Sequence, residues 1–205
     1  MRPQAPSTTG ALVLVVGPSG AGKDSILGYA RQQLTSDSRF VFARRLITRH
    51  DADPTEEHEA CTEAAFAAEE ASGTLVVSWR AHGTGYGIRR TILQPLAEGR
   101  VVIANVSRRV IDQGAALAAR VTIAHITASP AVLAARLRLR GRETHDEIVA
   151  RLAREAPLPP HTGALVTIGN DGPLAEGGGE FVALLREEAR RSSERGAGDD
   201  AKPAV

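Results

Sequence analysis

The sequence predicts a single α/β domain built on a doubly wound, mostly parallel sheet. Short apolar runs, such as ALVLVV at 11–16, alternate along the chain with longer segments of helical pattern. The first run leads into a glycine-rich loop and then a helical segment, an arrangement typical of folds that bind phosphate at a helix N-terminus. At 205 residues the chain is long enough for one complete core and short for two.

In the first half of the chain, recognisable stop signals separate the elements. The run at 11–16 is apolar throughout, which indicates a strand buried on both faces. Gly73 and Gly99 each follow a helical pattern, and glycine often ends a helix. The predicted order is a strand at 11–16, a helix at 25–34, a strand at 40–46, a helix at 62–72, a strand at 74–79, a glycine-rich turn at 81–87 and a helix at 88–98.

The second half repeats this alternation. Pro130 suits the first turn of a helix, Gly141 breaks that helix, and Pro157 ends the next one. Three glycines at 177–179 are predicted to interrupt the last helix. The predicted order is a strand at 100–105, a helix at 107–119, a strand at 121–127, helices at 130–140 and 144–154, a strand at 164–168 and a helix at 173–191.

Composition limits the classes of function. A formal net charge of +1 is not typical of a nucleic-acid-binding or membrane-surface protein. Cys61 is the only cysteine, which excludes a disulfide framework and indicates a reducing compartment. No apolar run has the length of a membrane span, so we expect a cytoplasmic protein with no nucleic-acid or membrane partner. The polar ends at 1–10 and 192–205 are predicted to be disordered, which leaves one domain at 11–191.

The segment GPSGAGKD at 17–24 is the strongest functional signal. It fits the phosphate-binding pattern GxxxxGK[ST] except at the last position, where Asp24 replaces the hydroxyl residue and Ser25 follows. Glycines allow successive backbone N–H groups to turn onto phosphate oxygens, and the lysine adds a point charge. The alternative is an ordinary turn with a surface lysine. The residues predicted to bind a nucleotide here are Gly17, Pro18, Ser19, Gly20, Ala21, Gly22, Lys23, Asp24 and Ser25.

Several motifs together resemble the guanylate kinase-like branch of the P-loop kinases. They are GPSGAGKD at 17–24, ITR at 47–49, HGTGYG at 82–87, and RLRLRGRE at 136–143 followed by RL at 151–152. The resemblance implies a three-layer αβα P-loop kinase that uses ATP and Mg²⁺. It also implies a small acceptor-binding subdomain at about 44–90 and an Arg-rich lid at about 136–158.

The chain departs from that branch where guanylate kinases bind guanine and its phosphate. Glu57 replaces a tyrosine, Val77 or Ser78 stands where a glutamate binds the base, and Asn105 replaces a base-binding aspartate. A buried site loses about 1–3 kcal/mol for each hydrogen-bond acceptor removed. Guanine is therefore not expected to be the acceptor.

Four segments together resemble the ribose 1,5-bisphosphate phosphokinases of bacterial phosphonate utilisation. They are KDS at 23–25, RRLITR at 44–49, EEHEA at 56–60 and SWRAHGTGYGI at 78–88. The resemblance implies ATP-dependent phosphorylation of ribose 1,5-bisphosphate to 5-phospho-α-D-ribose 1-diphosphate. In that family an aspartate follows the loop lysine, so Asp24 agrees with the resemblance.

The resemblance, together with the chemistry of phosphoryl transfer, assigns roles to further residues. Transfer to a phosphate oxygen needs positioning and positive charge more than proton transfer, because the acceptor is already an anion. The predicted catalytic residues are Lys23, Arg140 and Arg151, and Arg140 and Arg142 are also predicted to bind ATP. The residues predicted to bind the acceptor are Arg45, Arg49, Glu57, Arg80, His82, Tyr86 and Asn105. A solvated basic helix is the alternative for the lid arginines.

Asp24 and Ser25 are the candidate ligands for Mg²⁺. The predicted strand at 100–105 ends in an amide, so it does not supply the carboxylate that usually binds this metal. Asp24 is predicted to supply it, directly or through water, with Ser25 as an alternative hydroxyl ligand. The equally open alternative is that Asp24 is only a favourable charge at a helix N-terminus.

Two other functions remain open on the sequence. One is a nucleoside monophosphate kinase with an altered base preference, and the other is a guanylate kinase-like module that binds partners without catalysis. The second is disfavoured because such modules lose the loop glycines or Lys23, which this chain retains. A phosphorylated sugar is the expected small-molecule partner, and the sequence does not predict an oligomeric state.

Overall fold

The computed structural model describes residues 8–49, 58–81, 83–140, 158, 161 and 163–199. Its strands are β1 Ala11–Val16, β2 Phe40–Phe42, β3 Arg45–Ile47, β4 His58–Ala60, β5 Leu75–Ala81, β6 Thr84–Arg89, β7 Val101–Asn105, β8 Val121–Thr127 and β9 Ala164–Gly169. Its helices are α1 Lys23–Gln33, α2 Glu63–Ala71, α3 Leu93–Ala97, α4 Ile111–Ala115, α5 Pro130–Arg140 and α6 Leu174–Asp199. Short 3₁₀ turns, Arg90–Ile92 and Arg108–Val110, precede α3 and α4.

The main sheet has five strands in the order β2-β7-β1-β8-β9. Every neighbouring pair in it is parallel, which confirms the predicted parallel α/β sheet. β1 is the central strand, and the loop that follows it leaves the sheet between the ends of β7 and β8. Ligands of such sheets bind at this carboxyl edge.

The two faces of β1 build two separate cores. Val13 and Val15 belong to the core that includes α1 and α6, whereas Leu12 and Leu14 belong to the core that includes α3 and α4. Every residue of β1 is buried. Burying such a side chain contributes about 1.5–3 kcal/mol, so β1 is a rigid base for the loop at its end.

A second sheet of four strands has the order β4-β3-β6-β5. In it β3 is parallel to β4 and antiparallel to β6, and β5 and β6 form an antiparallel pair. These strands lie within the segment predicted as the acceptor-binding subdomain. They carry Arg45, Trp79 and Tyr86, three residues that border the candidate site.

Four predicted elements between residues 40 and 119 differ from the structure. The predicted helix at 107–119 is reduced to the 3₁₀ turn Arg108–Val110 and the five-residue α4. The predicted strand at 40–46 is divided, because the chain passes from the main sheet to the second sheet between β2 and β3. The predicted turn at 81–87 is shorter, since Thr84–Arg89 forms β6, and of the three glycines in this segment Gly83 alone has a positive φ, of 74°. The predicted helix at 88–98 therefore begins later, after β6.

Both ends of the predicted domain extend further than expected. Gly10 N donates to Leu96 O at 3.0 Å, so the chain is already fixed before β1. At the other end α6 runs through the three glycines and on to Asp199. Ser192 is buried in this extension, where its hydroxyl donates to Glu188 O at 3.0 Å. The predicted helix at 144–154 lies outside the described residues.

Candidate active site

Three glycines of the loop between β1 and α1 have a positive φ, and at two of them a Cβ would also clash with a neighbouring residue. Gly17 has a φ of 150°, and a Cβ there would lie 2.1 Å from the main-chain oxygen of Ile126. Gly22 caps α1 with a φ of 86°, and a Cβ there would lie 2.3 Å from Asn170 Nδ2. The first N–H groups of a helix have no helical acceptor, so the junction of this loop with α1 is suited to binding phosphate.

The ammonium group of Lys23 lies against the same loop. Its Nζ donates hydrogen bonds to the main-chain oxygens of Gly17 and Pro18, both at 2.9 Å. These bonds hold the side chain beside the loop rather than along the surface of α1. The positive charge is therefore located next to the backbone that would surround a bound phosphate.

Two side chains from other elements fix the opposite side of the loop. Asn170, a buried residue directly after β9, donates from Nδ2 to the main-chain oxygen of Ala21 at 2.7 Å. Arg136 of α5 donates to the same oxygen at 3.4 Å and to that of Gly20 at 3.5 Å. In a trans peptide the N–H points away from the C=O, so binding the carbonyls from outside directs the loop amides inward.

Asp24 connects the loop to the end of β7. Asn105 donates from Nδ2 to Asp24 Oδ1 at 2.9 Å, and Arg45 Nη2 lies 3.5 Å from the same oxygen. Asn105 is 6% exposed, and the side chains of Asp24 and Arg45 are 27% and 13% exposed. Two departures from the guanylate kinase pattern, at positions 24 and 105, are thus in direct contact. An amide next to a carboxylate is favourable, whereas two carboxylates at this distance would repel.

Arg45 also contacts the aromatic pair of the second sheet. Its guanidinium carbon lies 5.7 Å from the centroid of the Tyr86 ring. The Tyr86 ring is stacked on Trp79, with centroids 5.2 Å apart and planes at 7°. Arg45 is therefore held between the carboxylate of Asp24, on α1, and the face of the Tyr86 ring.

Arg80 lies on the opposite face of β5 from Trp79, because successive residues of a strand alternate. Its guanidinium pairs with Glu63 at 2.8 Å and Glu70 at 3.1 Å on α2, and lies 5.0 Å from the Phe66 ring centroid. The structure thus separates Arg80 from Arg45, with which the sequence analysis groups it. We do not include Arg80 in the candidate site.

Arg49 follows β3 and is half-buried. The residue before it, Thr48, donates from its N–H to Gly85 O at 3.0 Å and accepts from Gly85 N through its hydroxyl at 2.8 Å. These bonds hold the start of the loop after β3 against the strand that carries Tyr86.

The side chain of Arg140 and four other predicted site residues lie outside the part of the chain that the structure describes. They are Glu57, His82, Arg142 and Arg151.

His125 lies at the same edge of the main sheet, where it is the register partner of Val16. Burial lowers the pKa of His125, and the neighbouring charges of Arg108 and Lys23 lower it further. The imidazole is therefore neutral at pH 7. Arg108, in the 3₁₀ turn after β7, brings a cation to this edge that the sequence analysis does not single out.

Asp24 fits the requirements of a magnesium ligand. In the described part of the chain, no group of three or more His, Cys, Asp or Glu residues is arranged to hold a metal. A nucleotide-bound Mg²⁺ needs only one or two protein carboxylates, because water and phosphate oxygens supply its other ligands. Asp24 Oδ1 is bound by Asn105, and no described residue forms a hydrogen bond with Oδ2. Ser25 is exposed on α1.

Curated relatives cover nearly the whole chain. It is 45% identical over 186 residues to the ribose 1,5-bisphosphate phosphokinase PhnN of Brucella melitensis, covering 91% of this chain and 97% of that protein. It is 46% identical over 177 residues to PhnN of Methylobacterium radiotolerans, covering 86% and 98%. The chain belongs to the ribose 1,5-bisphosphate phosphokinase family. It also spans 30% of a bifunctional ribose 1,5-bisphosphokinase-thymidine phosphorylase of Cupriavidus necator, at 46% identity.

The ribose 1,5-bisphosphate phosphokinase family is the narrower resemblance that the sequence motifs predicted, and it is confirmed. A guanylate kinase of Anaplasma phagocytophilum superimposes with a TM-score of 0.55 at 14% identity, covering 89% of this chain and 87% of that one. At this identity the likeness shows the fold alone, and it confirms the predicted P-loop kinase architecture. No family model matches the chain. Across the described ranges, none of the helices is both long enough and apolar enough to span a bilayer.

In this member of the family, the structure brings together site residues that lie far apart in the sequence. It brings the loop with Lys23 and Asp24 next to Asn105, Arg45 and Tyr86. It also adds Asn170 as a residue that supports the loop. In the sequence, Asn170 and Asp171 resemble the stretch that borders the adenine in these kinases, and a strand followed by Asn-Asp-Gly is also typical of an ordinary turn.

Proposed function

We propose that this chain transfers the γ-phosphoryl group of ATP to ribose 1,5-bisphosphate, giving ADP and 5-phospho-α-D-ribose 1-diphosphate. The observation that carries the proposal is the hydrogen bond between Asn105 and Asp24. It fixes an amide where the guanylate kinase pattern has a base-binding aspartate. The relatives named as ribose 1,5-bisphosphate phosphokinases support the same acceptor.

The product determines which oxygen accepts the phosphoryl group. Its diphosphate is on C1, so the accepting oxygen belongs to the 1-phosphate and not to the 5-phosphate. That oxygen forms a bond to the γ-phosphorus as the bond from the γ-phosphorus to the β–γ bridging oxygen breaks, and its electron pair leaves with ADP. The second pKa of a phosphate is near 6, so the acceptor is anionic at neutral pH and no side chain has to remove a proton.

On the nucleotide side, the loop amides and Lys23 would bind the β- and γ-phosphates. The contacts of Lys23 with Gly17 and Pro18 support this role, because they hold the ammonium at the loop. By the family resemblance, Arg140, Arg142 and Arg151 would add charge over the triphosphate. Their closure would also exclude water, which could otherwise accept the phosphoryl group.

On the acceptor side, Arg45 and Arg49 would bind the sugar phosphates, and the Tyr86 hydroxyl would donate to a phosphate oxygen. A bisphosphate carries about four negative charges near neutral pH, so more than one cation is required. The contact of Arg45 with Asp24 at 3.5 Å supports Arg45 as the residue for the reacting 1-phosphate. Arg45 thus joins the acceptor side of the site to α1, which follows the phosphate-binding loop.

Asp24 would hold Mg²⁺ through Oδ2, with the Ser25 hydroxyl as the alternative ligand. When bound, Mg²⁺ neutralises charge on the β- and γ-phosphates and orients them. Asn105 would keep Asp24 in place through Oδ1, which leaves the second oxygen of the carboxylate for the metal.

The test is ADP formation measured side by side with ribose 1,5-bisphosphate, GMP and other nucleoside monophosphates as acceptors. We expect kcat/KM for ribose 1,5-bisphosphate to exceed that for GMP by at least about 100-fold. A preference for GMP would support the nucleoside monophosphate kinase instead. Binding of ATP without turnover of any acceptor would support a non-catalytic module.

A further inference from the structure

The side-chain oxygen of Asn105 is a buried hydrogen-bond acceptor that no described residue satisfies. Asn105 is only 6% exposed and lies at the carboxyl end of β7, next to the phosphate-binding loop. Buried polar atoms are nearly always hydrogen-bonded, and an exception at a binding site indicates a partner that arrives with a ligand. The candidate partner is a hydrogen-bond donor.

The orientation of this amide is determined by its neighbour. Asn105 lies 2.9 Å from Asp24 Oδ1, and only the NH₂ end of the amide can donate to a carboxylate. The oxygen therefore lies on the other branch of the amide, where it can accept but cannot donate. Asp24 acts as a positioning residue for Asn105, because it prevents the amide from rotating to offer its NH₂ group to a ligand.

This arrangement discriminates between the chemical groups of a phosphorylated sugar. An amide oxygen beside a carboxylate repels a phosphate, which has only acceptor oxygens when fully ionised. A sugar hydroxyl has a proton to donate. The phosphates are attracted instead to Arg45, which lies 3.5 Å from the same carboxylate. The two kinds of group on one acceptor molecule thus have separate places in the site.

We propose that Asn105 is a specificity-determining residue whose Oδ1 accepts a hydrogen bond from the 2- or 3-hydroxyl group of the acceptor's ribose. The proposal rests on the function proposed above and adds the group that selects a hydroxylated sugar. A deoxy acceptor would leave Oδ1 buried and unsatisfied. Sites built around a buried polar group of this kind reject the analogue that lacks its partner.

The test compares ribose 1,5-bisphosphate with its 2-deoxy and 3-deoxy analogues, in wild-type enzyme and in Asn105→Leu. In the wild type, we expect one of the two analogues to lose about 10- to 100-fold in kcat/KM. In Asn105→Leu, kcat/KM for ribose 1,5-bisphosphate should fall by a similar factor. The ratio of kcat/KM for ribose 1,5-bisphosphate to kcat/KM for the deoxy analogue should then be about 1. Asn105→Leu also removes the hydrogen bond to Asp24, and that loss lowers kcat/KM for every acceptor alike. The ratio between substrate and deoxy analogue is therefore the readout that isolates the role of the oxygen.

Asn105→Asp is the matched control, since it keeps an acceptor oxygen of the same size at this position. We expect it to retain the wild-type discrimination between substrate and analogue while losing kcat, because its carboxylate repels that of Asp24. Thermal unfolding checks that each variant is folded. Should Asn105→Leu fail to fold, Asn105→Ala removes the same oxygen with less bulk.

Two results would overturn the role of Asn105. One is a wild-type enzyme that turns over both deoxy analogues as well as ribose 1,5-bisphosphate. The other is a variant without the oxygen that keeps the wild-type ratio. In both cases the wild type is active on ribose 1,5-bisphosphate and the proposed function stands. A folded wild-type enzyme that is inactive on ribose 1,5-bisphosphate contradicts the proposed function as well as this inference.

Discussion

Asn170 donates a 2.7 Å hydrogen bond from its side-chain amide to the main-chain oxygen of Ala21 in the phosphate-binding loop. Its own N–H donates to Thr127 O at 2.8 Å, so Asn170 is fixed through both its backbone and its side chain. The contact is close enough that a Cβ on Gly22 would lie 2.3 Å from Asn170 Nδ2. The shape of the loop thus depends on a residue at the end of the edge strand β9.

Removing this support should weaken nucleotide binding. We expect Asn170→Ala to raise the Kd of an ATP analogue about 10-fold or more, because Ala21 O loses a buried donor worth about 1–3 kcal/mol. Isothermal titration calorimetry measures this without turnover. Asp171→Asn is the control, since it keeps the Oδ1 that accepts from Ser129 N and should bind like the wild type. Wild-type affinity in Asn170→Ala would contradict the assignment.

Positions 24 and 105 should behave as a coupled pair. We expect Asn105→Asp to lower the free energy of unfolding by about 1–3 kcal/mol at pH 7, because it places a second carboxylate beside Asp24. The double variant Asp24→Asn with Asn105→Asp restores an amide–carboxylate pair in the reverse order and should recover part of the loss. Urea unfolding of the wild type, the two single variants and the double variant, all without nucleotide, gives the coupling free energy between the two positions. Strictly additive effects on the free energy of unfolding would argue against the contact.

Arg45 and Arg80 form a matched pair on opposite faces of the second sheet. We expect Arg45→Ala to raise the acceptor KM at least about 10-fold, because the substitution removes the guanidinium proposed to bind the 1-phosphate. Arg80→Ala should leave the acceptor KM unchanged and lower stability by less than about 1 kcal/mol, because its partners Glu63 and Glu70 are partly exposed. Steady-state kinetics with varied acceptor checks both. Equal effects of the two substitutions on KM would contradict the placement of Arg80.

Glu188 provides a test of the core that is separate from the active site. It is 3% exposed, accepts from Arg120 at 2.9 Å and 2.6 Å, and accepts from Thr122 Oγ1 at 3.0 Å. We expect Glu188→Gln to cost about 3 kcal/mol of stability, because Arg120 loses its buried counter-charge. The neighbouring Glu187 pairs with Arg190 and Arg191 at the surface of α6, so Glu187→Gln should lower the midpoint of thermal unfolding much less. A loss of stability in Glu187→Gln that exceeds the loss in Glu188→Gln would contradict this prediction.

His125 should make the folded state sensitive to acid. Its pKa is lowered from 6.5 by burial and by the charges of Arg108 and Lys23, so the unfolded chain binds a proton more readily than the folded one. Its contribution to stability is therefore complete above about pH 6.5 and decreases as the pH falls towards the lowered pKa. Thermal unfolding between pH 5 and 8 should show a steeper loss in the wild type than in His125→Gln. Parallel curves would exclude the effect.

The sequence predicted those parts of the fold and site that are written in contiguous residues. The loop at 17–24 and the strand before it form one uninterrupted signal, and the structure keeps both where they were predicted. The family followed from motifs in a fixed order along the chain. The apolar runs at 121–127 and 164–168 likewise predicted strands, and both form parallel strands of the main sheet, although only β8 is largely buried.

The sequence could not predict relationships that depend on which face of a strand a residue occupies. Arg80 was grouped with Arg45 by motif, but strand alternation turns its side chain towards α2. The contact between Asp24 and Asn105 joins residues 81 positions apart, and no local pattern predicts such a contact. The polar character of Ser192 predicts an earlier end for α6, but its hydroxyl donates to Glu188 O within the helix and the residue is buried.

Phosphorus NMR of the reaction with ATP, Mg²⁺ and ribose 1,5-bisphosphate tests the central claim most directly. The account predicts that the resonance of the 1-phosphate is replaced by the coupled pair of a diphosphate on C1, while the 5-phosphate resonance stays a monophosphate and ADP appears in equal amount. Unchanged sugar resonances, together with rapid conversion of GMP to GDP by the same enzyme, would contradict it.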